Sequence, residues 1–433
     1  MRDFGQSDNA RVQAQLDRLA ALSLPQGRLG LDTIRALMER LGNPHRRLPP
    51  VFHVAGTNGK GSTCAFLRAM LEAQGYKVHV TTSPHLVRYN ERIRVAGELI
   101  GDDTLADLLE EVLDAGADLA PSFFEVTIAA AFLAFSRTPA DACVVEVGLG
   151  GRFDATNVLE PEVLASCGIA ALGLDHERFL LAPEDGAPQE PMARIAFEKA
   201  GIAKRGVPLV TLSYHPESNR EIIAAAERVG APLAMCGDAW DVKPRPVLTY
   251  RDPSATYSLP RPALPGAHQE QNAGLALAMI QYQRRVGVGS LAMSVAMRKV
   301  RWPARMQRLG AGPLTALAGE DRPVWLDGGH NPSAGAAIAA HFDGPLHLVI
   351  GMIEGKDPSA LTGPLSGSLA SITAVPVPRH EWQQAGAFGP LAQQAPDVPS
   401  ALANLPDDGL PILIAGSLYL AGEVLRLNGE VPN

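Results

Sequence analysis

Apolar residues recur at helical spacing near the start of the chain. Val12, Leu16, Leu19 and Leu22 share one face, which predicts a helix over 9–22. A second helix is predicted over 31–41, stopped by Gly42-Asn43-Pro44. The pattern then turns from periodic to continuous. Val51-Phe52-His53-Val54-Ala55 reads as a buried strand and runs straight into Gly56-Thr57-Asn58-Gly59-Lys60-Gly61-Ser62, after which 63–74 is helix-compatible. Strands over 77–82, 142–147, 163–169 and 208–212 alternate with helices over 104–113 and 127–135. That alternation predicts a parallel sheet with helices on both faces, and chemistry where strands end and loops begin.

Later segments differ in character. Residues 182–191 are rich in Pro, Glu, Asp and Gly and read as a surface loop. Residues 240–265 hold many prolines between short alternating runs, which predicts small edge strands, and 271–284 returns to helix. Beyond Val300-Arg301-Trp302-Pro303 a second α/β pattern begins, with strands over 324–326, 346–350 and 411–415 and helices over 333–341 and up to about 427. The expected division is a nucleotide-binding domain over 1–300, a hinge at 301–304 and a smaller α/β domain over 305–433.

Composition narrows the function classes. The 433 residues are 46% hydrophobic and 19% charged, enough for a sizeable core. With 38 Lys+Arg against 46 Asp+Glu the net charge is -8, which argues against a nucleic-acid coat and requires any anionic ligand to meet local positive charge. Cys64, Cys143, Cys167 and Cys236 form no CxxC pair, so each is expected to be a buried or free thiol of a reducing compartment. The first residues lack the apolar stretch of a signal peptide, and the longest apolar run, 126–135, is half the ~20 residues of a membrane helix. A cytoplasmic protein without membrane or nucleic-acid partners is expected.

Residues 56–62 carry the strongest chemical signal. Glycines let backbone N–H groups turn inward around phosphate, the next helix aims its positive end at the same anion, and Lys60 adds a point charge. The spacing is not literally GxxxxGK[ST], because Gly61 separates Lys60 from Ser62, and a plain Gly-rich turn is the alternative. Glu146 closes an apolar strand, either as a solvated loop acid or as a carboxylate presented at the sheet edge. Taken alone, His176 is an ordinary loop histidine and Lys199 a solvated helix lysine. Arg305 is a surface ion-pair partner or a fork for phosphate, and Phe123 and Phe124 are core residues or a platform for a flat ring.

An ordered series of motifs then stands out. It comprises Ala55 to Ser62, Thr82-Ser83-Pro84-His85-Leu86, Asn90-Glu91-Arg92-Ile93, Phe123-Phe124-Glu125, Glu146 to Asn157, Leu174-Asp175-His176, Glu198-Lys199-Ala200-Gly201-Ile202, His268 to Ala273, Pro303-Ala304-Arg305, Asp327 to Pro332 and Gly351 to Asp357. The series resembles the Mur-ligase-type, ADP-forming amide ligases, and within them the folylpolyglutamate synthases, including bifunctional bacterial dihydrofolate synthases. The resemblance implies an α/β fold: a Mur-ligase-like P-loop ATPase domain with a mostly parallel sheet, plus a smaller Rossmann-like C-terminal domain.

It also implies ATP-dependent addition of L-glutamate to dihydropteroate and tetrahydrofolate. A carboxylate is a poor electrophile until phosphorylated, so an acyl phosphate forms and ADP and phosphate leave. By resemblance Gly56, Thr57, Asn58, Gly59, Lys60, Gly61, Ser62, Asn272, Arg305, Asp327 and His330 contact ATP. Ser83, Glu146 and His176 hold Mg²⁺, with two ions expected, and Lys60, His176 and Lys199 act in catalysis, Lys199 as a carbamate. Arg28, Leu29, Gly30, Leu31, Ser122, Phe123, Phe124, Phe153, Asp154 and Ala155 form the folate site. The implied partners are ATP, L-glutamate and dihydropteroate or reduced folates, with no organic prosthetic group, on a monomer whose hinge closes to keep water from the acyl phosphate.

Two positions depart from the family pattern. Ser122 stands where Thr is common, and Phe179-Leu180-Leu181 lacks a usual glycine and leads into an extended acidic loop. The competing readings are a monofunctional folylpolyglutamate synthase, a cell-wall Mur ligase and a non-enzymatic nucleotide switch. A Mur ligase would usually need a UDP-binding domain that the 50 residues before Val51 hardly hold. In a switch Glu146, His176 and Lys199 would be dispensable.

Overall fold

The computed structural model describes residues 5–22, 30–175, 177–243, 246–319 and 321–432. The chain forms two compact units, one made of Met1–Ala263 and Gln269–Val300, the other of Leu264–His268 and Arg301–Asn433.

The first unit is built on eight described strands: β1 (Val51–Ala55), β2 (Val78–Thr81), β3 (Ile93–Val95), β4 (Glu98–Leu99), β5 (Ala142–Glu146), β6 (Leu164–Ile169), β7 (Leu209–Thr211) and β8 (Leu233–Met235). They lie in the order β4-β3-β2-β5-β1-β6-β7-β8. The pairs from β2 to β8 are parallel, while β3 and β4 add an antiparallel edge. Every residue of β1, β5 and β6 is buried, the expected result for parallel strands covered on both faces. Residues 240–265 form a separate antiparallel sheet of β9 (Asp241–Lys243), β10 (Leu248–Arg251) and β11 (Thr256–Leu259).

Local chemistry sets the helix ends. Asn9 caps the helix Ala10–Ala20 by accepting from the Arg11 and Val12 N–H groups at 2.9 and 3.2 Å. Several helices begin earlier than predicted, among them Asp102–Ala115 and Ala267–Gln281. The one expected over 63–74 is Lys60–Ala73, so Lys60, Gly61 and Ser62 form its first turn rather than a loop. The one expected over 127–135 is Phe123–Arg137, started by a capping box of Ser122 and Glu125. Helices Pro216–Val229 and Ser290–Lys299 were not predicted. Val145 of β5 and Val147 just after it share one core with Phe132, Phe135, Leu105 and Leu109 from the helices.

The second unit carries β12 (Gln307–Arg308), β13 (Val324–Leu326), β14 (Leu346–Ile350), β15 (Leu369–Ala374), β16 (Gln393–Gln394) and β17 (Ile412–Ala415) in the order β12-β13-β17-β14-β15-β16. All pairs but β12 with β13 are parallel, and Leu348, Ile350 and Leu413 lie in its core. All four cysteines are free thiols, with Cys236 half-buried and the others buried. None of the described helices is long and apolar enough to cross a membrane.

Helices Pro332–Ala339 and Ser359–Leu365 meet at Gly335, where a Cβ would lie 1.9 Å from the Ala360 carbonyl oxygen. Backbone cannot rotate away as a side chain would. Gly335→Ala is therefore expected to destabilise the second unit by about 1–3 kcal/mol, read as a lower denaturation midpoint; an unchanged midpoint would mean the helices part freely.

Candidate active site

The chain leaves β1, with β5 on one side and β6 on the other, at the place where the connections change direction across the sheet. Such a switch point leaves a crevice beyond the strand ends. Gly56 to Gly59 turn there into the helix at Lys60. Thr57 and Asn58 donate their N–H groups to the Ala171 carbonyl at 2.8 and 3.1 Å. The Thr57 hydroxyl donates to the Gly173 carbonyl at 2.9 Å, which ties the loop to the end of β6. Gly59 has φ +83°, and a Cβ on it would sit 2.3 Å from the Asn272 Oδ1. The backbone thus needs glycine twice over at this point. Asn272, whose Nδ2 donates to Gln269 at 3.1 Å, thus lies against the glycine loop. Ser62 is buried in the first turn of the helix, the end at which a helix dipole favours an anion.

Two lysines converge on one carbonyl. The Lys60 Nζ donates to Gly56 and Thr57 carbonyls at 3.0 and 3.3 Å. The Lys199 Nζ donates to the same Gly56 carbonyl at 2.9 Å. Lys199 is only 3% exposed, so the reading of it as a solvated helix lysine is wrong. It lies near the end of the helix Pro191–Ala200, which carries it beneath the loop. Burial, and then the charge of Lys60, lower its pKa to about 7, against smaller opposing effects of Asp175, Asp154 and Glu198. Lys60, Lys199, Asp175, Leu180 and the turn Gly148-Leu149-Gly150 wall a common cavity.

Glu146 ends β5 level with Val54 of β1 and is 5% exposed, so it is not a solvated loop acid. Its Oε2 accepts the Ser83 N–H at 3.1 Å, which brings two of the three expected metal ligands together. His176 lies outside the described residues. Among the described residues no three His, Cys, Asp or Glu side chains form a metal cage. Mg²⁺ takes one or two protein oxygens and fills the rest with phosphate and water. A buried carboxylate beside the phosphate loop fits that ion. Cys64, in the same helix as Lys60, is no ligand candidate: burial and the Glu146 charge push its thiol pKa up.

The expected folate residues fall in several places. Arg28 and Leu29 lie outside the described residues, Gly30 is exposed, and Leu31 is buried just before the helix Asp32–Arg40. Ser122 caps its helix; Phe123 packs edge-on to Tyr89 at 5.9 Å, and the Phe124 ring lies against Gly148. The half-buried Phe153 ring faces the Arg152 guanidinium at 4.2 Å, and Ala155 is buried. Asp154 is also buried and accepts N–H bonds from Leu149 at 2.8 Å and Thr156 at 3.0 Å. It holds the cavity turn in shape from behind. In the second unit Asp327 follows β13 and accepts from Met306 N–H at 2.8 Å and Gly329 N–H at 2.7 Å. Arg305 folds onto the Ala304 carbonyl at 2.9 Å, and His330 Nδ1 lies 3.1 Å from the Gly328 carbonyl oxygen. His268, not singled out from sequence as a site residue, feels both Asp327 and Arg305, while burial lowers its pKa.

Over 318 residues the chain is 37% identical to the dihydrofolate synthase/folylpolyglutamate synthase of Bacillus subtilis, spanning 70% of this chain and 69% of that protein. The chain belongs to the folylpolyglutamate synthase/dihydrofolate synthase family. Its structure is similar to Mycobacterium tuberculosis folylpolyglutamate synthase complexed with ADP and AMPPCP, with TM-score 0.83, 30% identity and coverage of 98% and 99% of the two chains. It is likewise similar to the bifunctional enzyme of Yersinia pestis complexed with AMPPNP and Mn ion, with TM-score 0.83, 27% identity and coverage of 97% and 99%. No protein-family model matches the chain. The fold expected from the motif series, an α/β architecture with a mostly parallel sheet and a second α/β unit, is the fold of the family. Sequence reasoning missed Asp175 and Leu180 as cavity walls, although Asp175 sits in a motif it had marked.

Lys199 makes stability pH-dependent. Its folded pKa of about 7 lies below the ordinary 10.5, so between these values the unfolded chain holds a proton that the folded chain does not. Its contribution to stability therefore rises with pH through that window and falls again as pH drops toward 7. In carbonate-free buffer, wild type is expected to gain more stability than Lys199→Met between about pH 7 and pH 9, measured by urea midpoints. Equal gains would mean that Lys199 carries its ordinary pKa.

Proposed function

We propose that this chain is an ATP-dependent ligase that joins L-glutamate to dihydropteroate and to tetrahydrofolate. The convergence of Lys60 and Lys199 on the Gly56 carbonyl, beside a β5 that ends in Glu146, carries the reading. The Lys60 ammonium in the first turn of its helix is placed to receive a polyphosphate.

The chemistry follows from the residues. The γ-phosphoryl group of ATP passes to the folate carboxylate, the glutamate amine attacks the acyl carbon, and phosphate leaves. Lys60 turns from its loop carbonyls to the transferring phosphate, where it offsets developing charge. Glu146 and Ser83, with His176, hold Mg²⁺, which neutralises phosphate charge when bound. Lys199 has the low pKa that a carbamate requires, because only a neutral amine adds to carbon dioxide. Carbamylation removes one of two neighbouring positive charges and adds a carboxylate near the metal. Asn272, Arg305, Asp327 and His330 bind the nucleotide. Phe124 and Phe153 present flat rings for the pterin. The protein works as a monomer, and its free thiols suit a reducing compartment such as the cytoplasm.

Purified protein with ATP, Mg²⁺ and glutamate is expected to release ADP when given either dihydropteroate or tetrahydrofolate. Turnover with tetrahydrofolate alone would make the enzyme monofunctional, and turnover only with a UDP-muramyl peptide would overturn the folate reading. In the same assay Lys199→Ala is expected to lose about 10–100-fold in kcat, with part restored by added acetate. Full activity in that variant would remove Lys199 from the mechanism.

A further inference from the structure

The acidic segment 182–191, expected to be a solvated surface loop, turns one of its acids inward. Asp185 is exposed, but the Glu184 side chain is only 13% exposed. Its carboxylate accepts from both Arg152 Nη atoms, the Nη1 bond being 3.0 Å, and from Arg194 Nη2 at 2.7 Å. Both arginines also pair with Glu198: Arg152 Nη2 at 2.8 Å and Arg194 Nη2 at 3.1 Å. The result is a nearly dry quartet of two guanidiniums and two carboxylates, closed by the segment's own glutamate.

Each partner leads to a wall of the ATP-loop cavity. Arg152 directly follows the turn Gly148 to Gly151, and its backbone N–H donates to the Glu198 carbonyl at 2.8 Å. A Cβ on Gly151 would lie 2.9 Å from the Lys199 carbonyl oxygen, so that turn rests directly on the Lys199 backbone. Arg194 Nε donates to the Leu180 carbonyl at 3.0 Å, and Leu180 faces the same cavity. Glu198 immediately precedes Lys199 in its helix.

We infer that Glu184 is a positioning residue for the ligase reaction, holding the Gly148–Arg152 turn, Leu180 and Lys199 in register through Arg152 and Arg194. This rests on the ligase reading above. Without Glu184, one carboxylate faces two guanidiniums, that of Arg194 buried and that of Arg152 half-buried. An excess buried charge is costly, so an arginine swings toward water and takes its wall of the cavity with it. The phosphate loop has separate anchors at Ala171 and Gly173, so nucleotide affinity is spared. The defect falls on kcat.

The test compares wild type, Glu184→Ala, Glu184→Gln and Glu184→Asp in folate-dependent ADP release, with Tm and ATP KM measured for each. Glu184→Ala is expected to lose at least about tenfold in kcat, since a 1 Å misplacement can cost about 10²-fold, with ATP KM changed by less than about threefold. Glu184→Asp, which keeps the charge, recovers more kcat than Glu184→Gln, which keeps only the shape. If Glu184→Ala folds poorly, kcat per nucleotide-binding site in Glu184→Gln decides. Values within twofold of wild type in either variant, or a kcat loss that merely follows the folded fraction, overturn the role of Glu184. Absence of folate-dependent turnover in wild type overturns the ligase reading itself.

Discussion

Two ammonium groups over one carbonyl oxygen are an unfavourable arrangement that the rest of the site must tolerate. Lys60 and Lys199 both donate to Gly56, and the structure answers their repulsion in two ways. Acids stand nearby, with Asp175, Asp154 and Glu198 each acting on Lys199. The buried lysine also gives up its proton readily, which removes the second charge altogether. An incoming polyphosphate would remove the conflict from the other side. The overall charge of -8 is compatible with this chemistry, because positive charge is concentrated where backbone dipoles already favour an anion.

The sheet makes that concentration possible. Glu146 and the phosphate loop come from neighbouring parallel strands, so their proximity follows from strand register rather than from flexible loops. Lys199 arrives on a helix locked to the Gly148–Arg152 turn by backbone and by ion pairs. Elements of fixed geometry hold catalytic groups more precisely than loops do. The second unit repeats the plan on a smaller scale, with Asp327 and His330 following β13.

Much of this was legible in the chain, and the exceptions have physical causes. Strands β1, β5 and β6 are buried at every position and read as mainly apolar runs, each with a single polar residue, His53, Glu146 or Ser166. Strands β3, β4, β12 and β16 are two or three residues long and partly exposed, so no pattern marks them. The helices at Lys60 and Phe123 start before their apolar periodicity, because Gly59 and Ser122 set those ends by backbone conformation and capping. The motif series marked Glu146, Ser83 and Asn272, and the fold sets Glu146 against Ser83 and Asn272 against Gly59. It could not show that Lys199 is buried, or that Glu184 faces inward, because both facts depend on partners far away in sequence. Charged side chains ordinarily sit in water, and only the assembled fold reverses that expectation here.

The span between Gly56 and Lys199 also has a consequence in time. The two residues are 143 positions apart. At ordinary rates of synthesis of about 5–20 residues per second, roughly 7–30 s pass between their appearances. During that interval the nascent chain carries the glycine loop but lacks the second lysine and, for most of it, the walls at Gly148–Gly150, Asp175 and Leu180 that precede that lysine. Completion of the pocket is thus tied to the progress of translation, and an unfinished chain is poorly equipped to spend ATP.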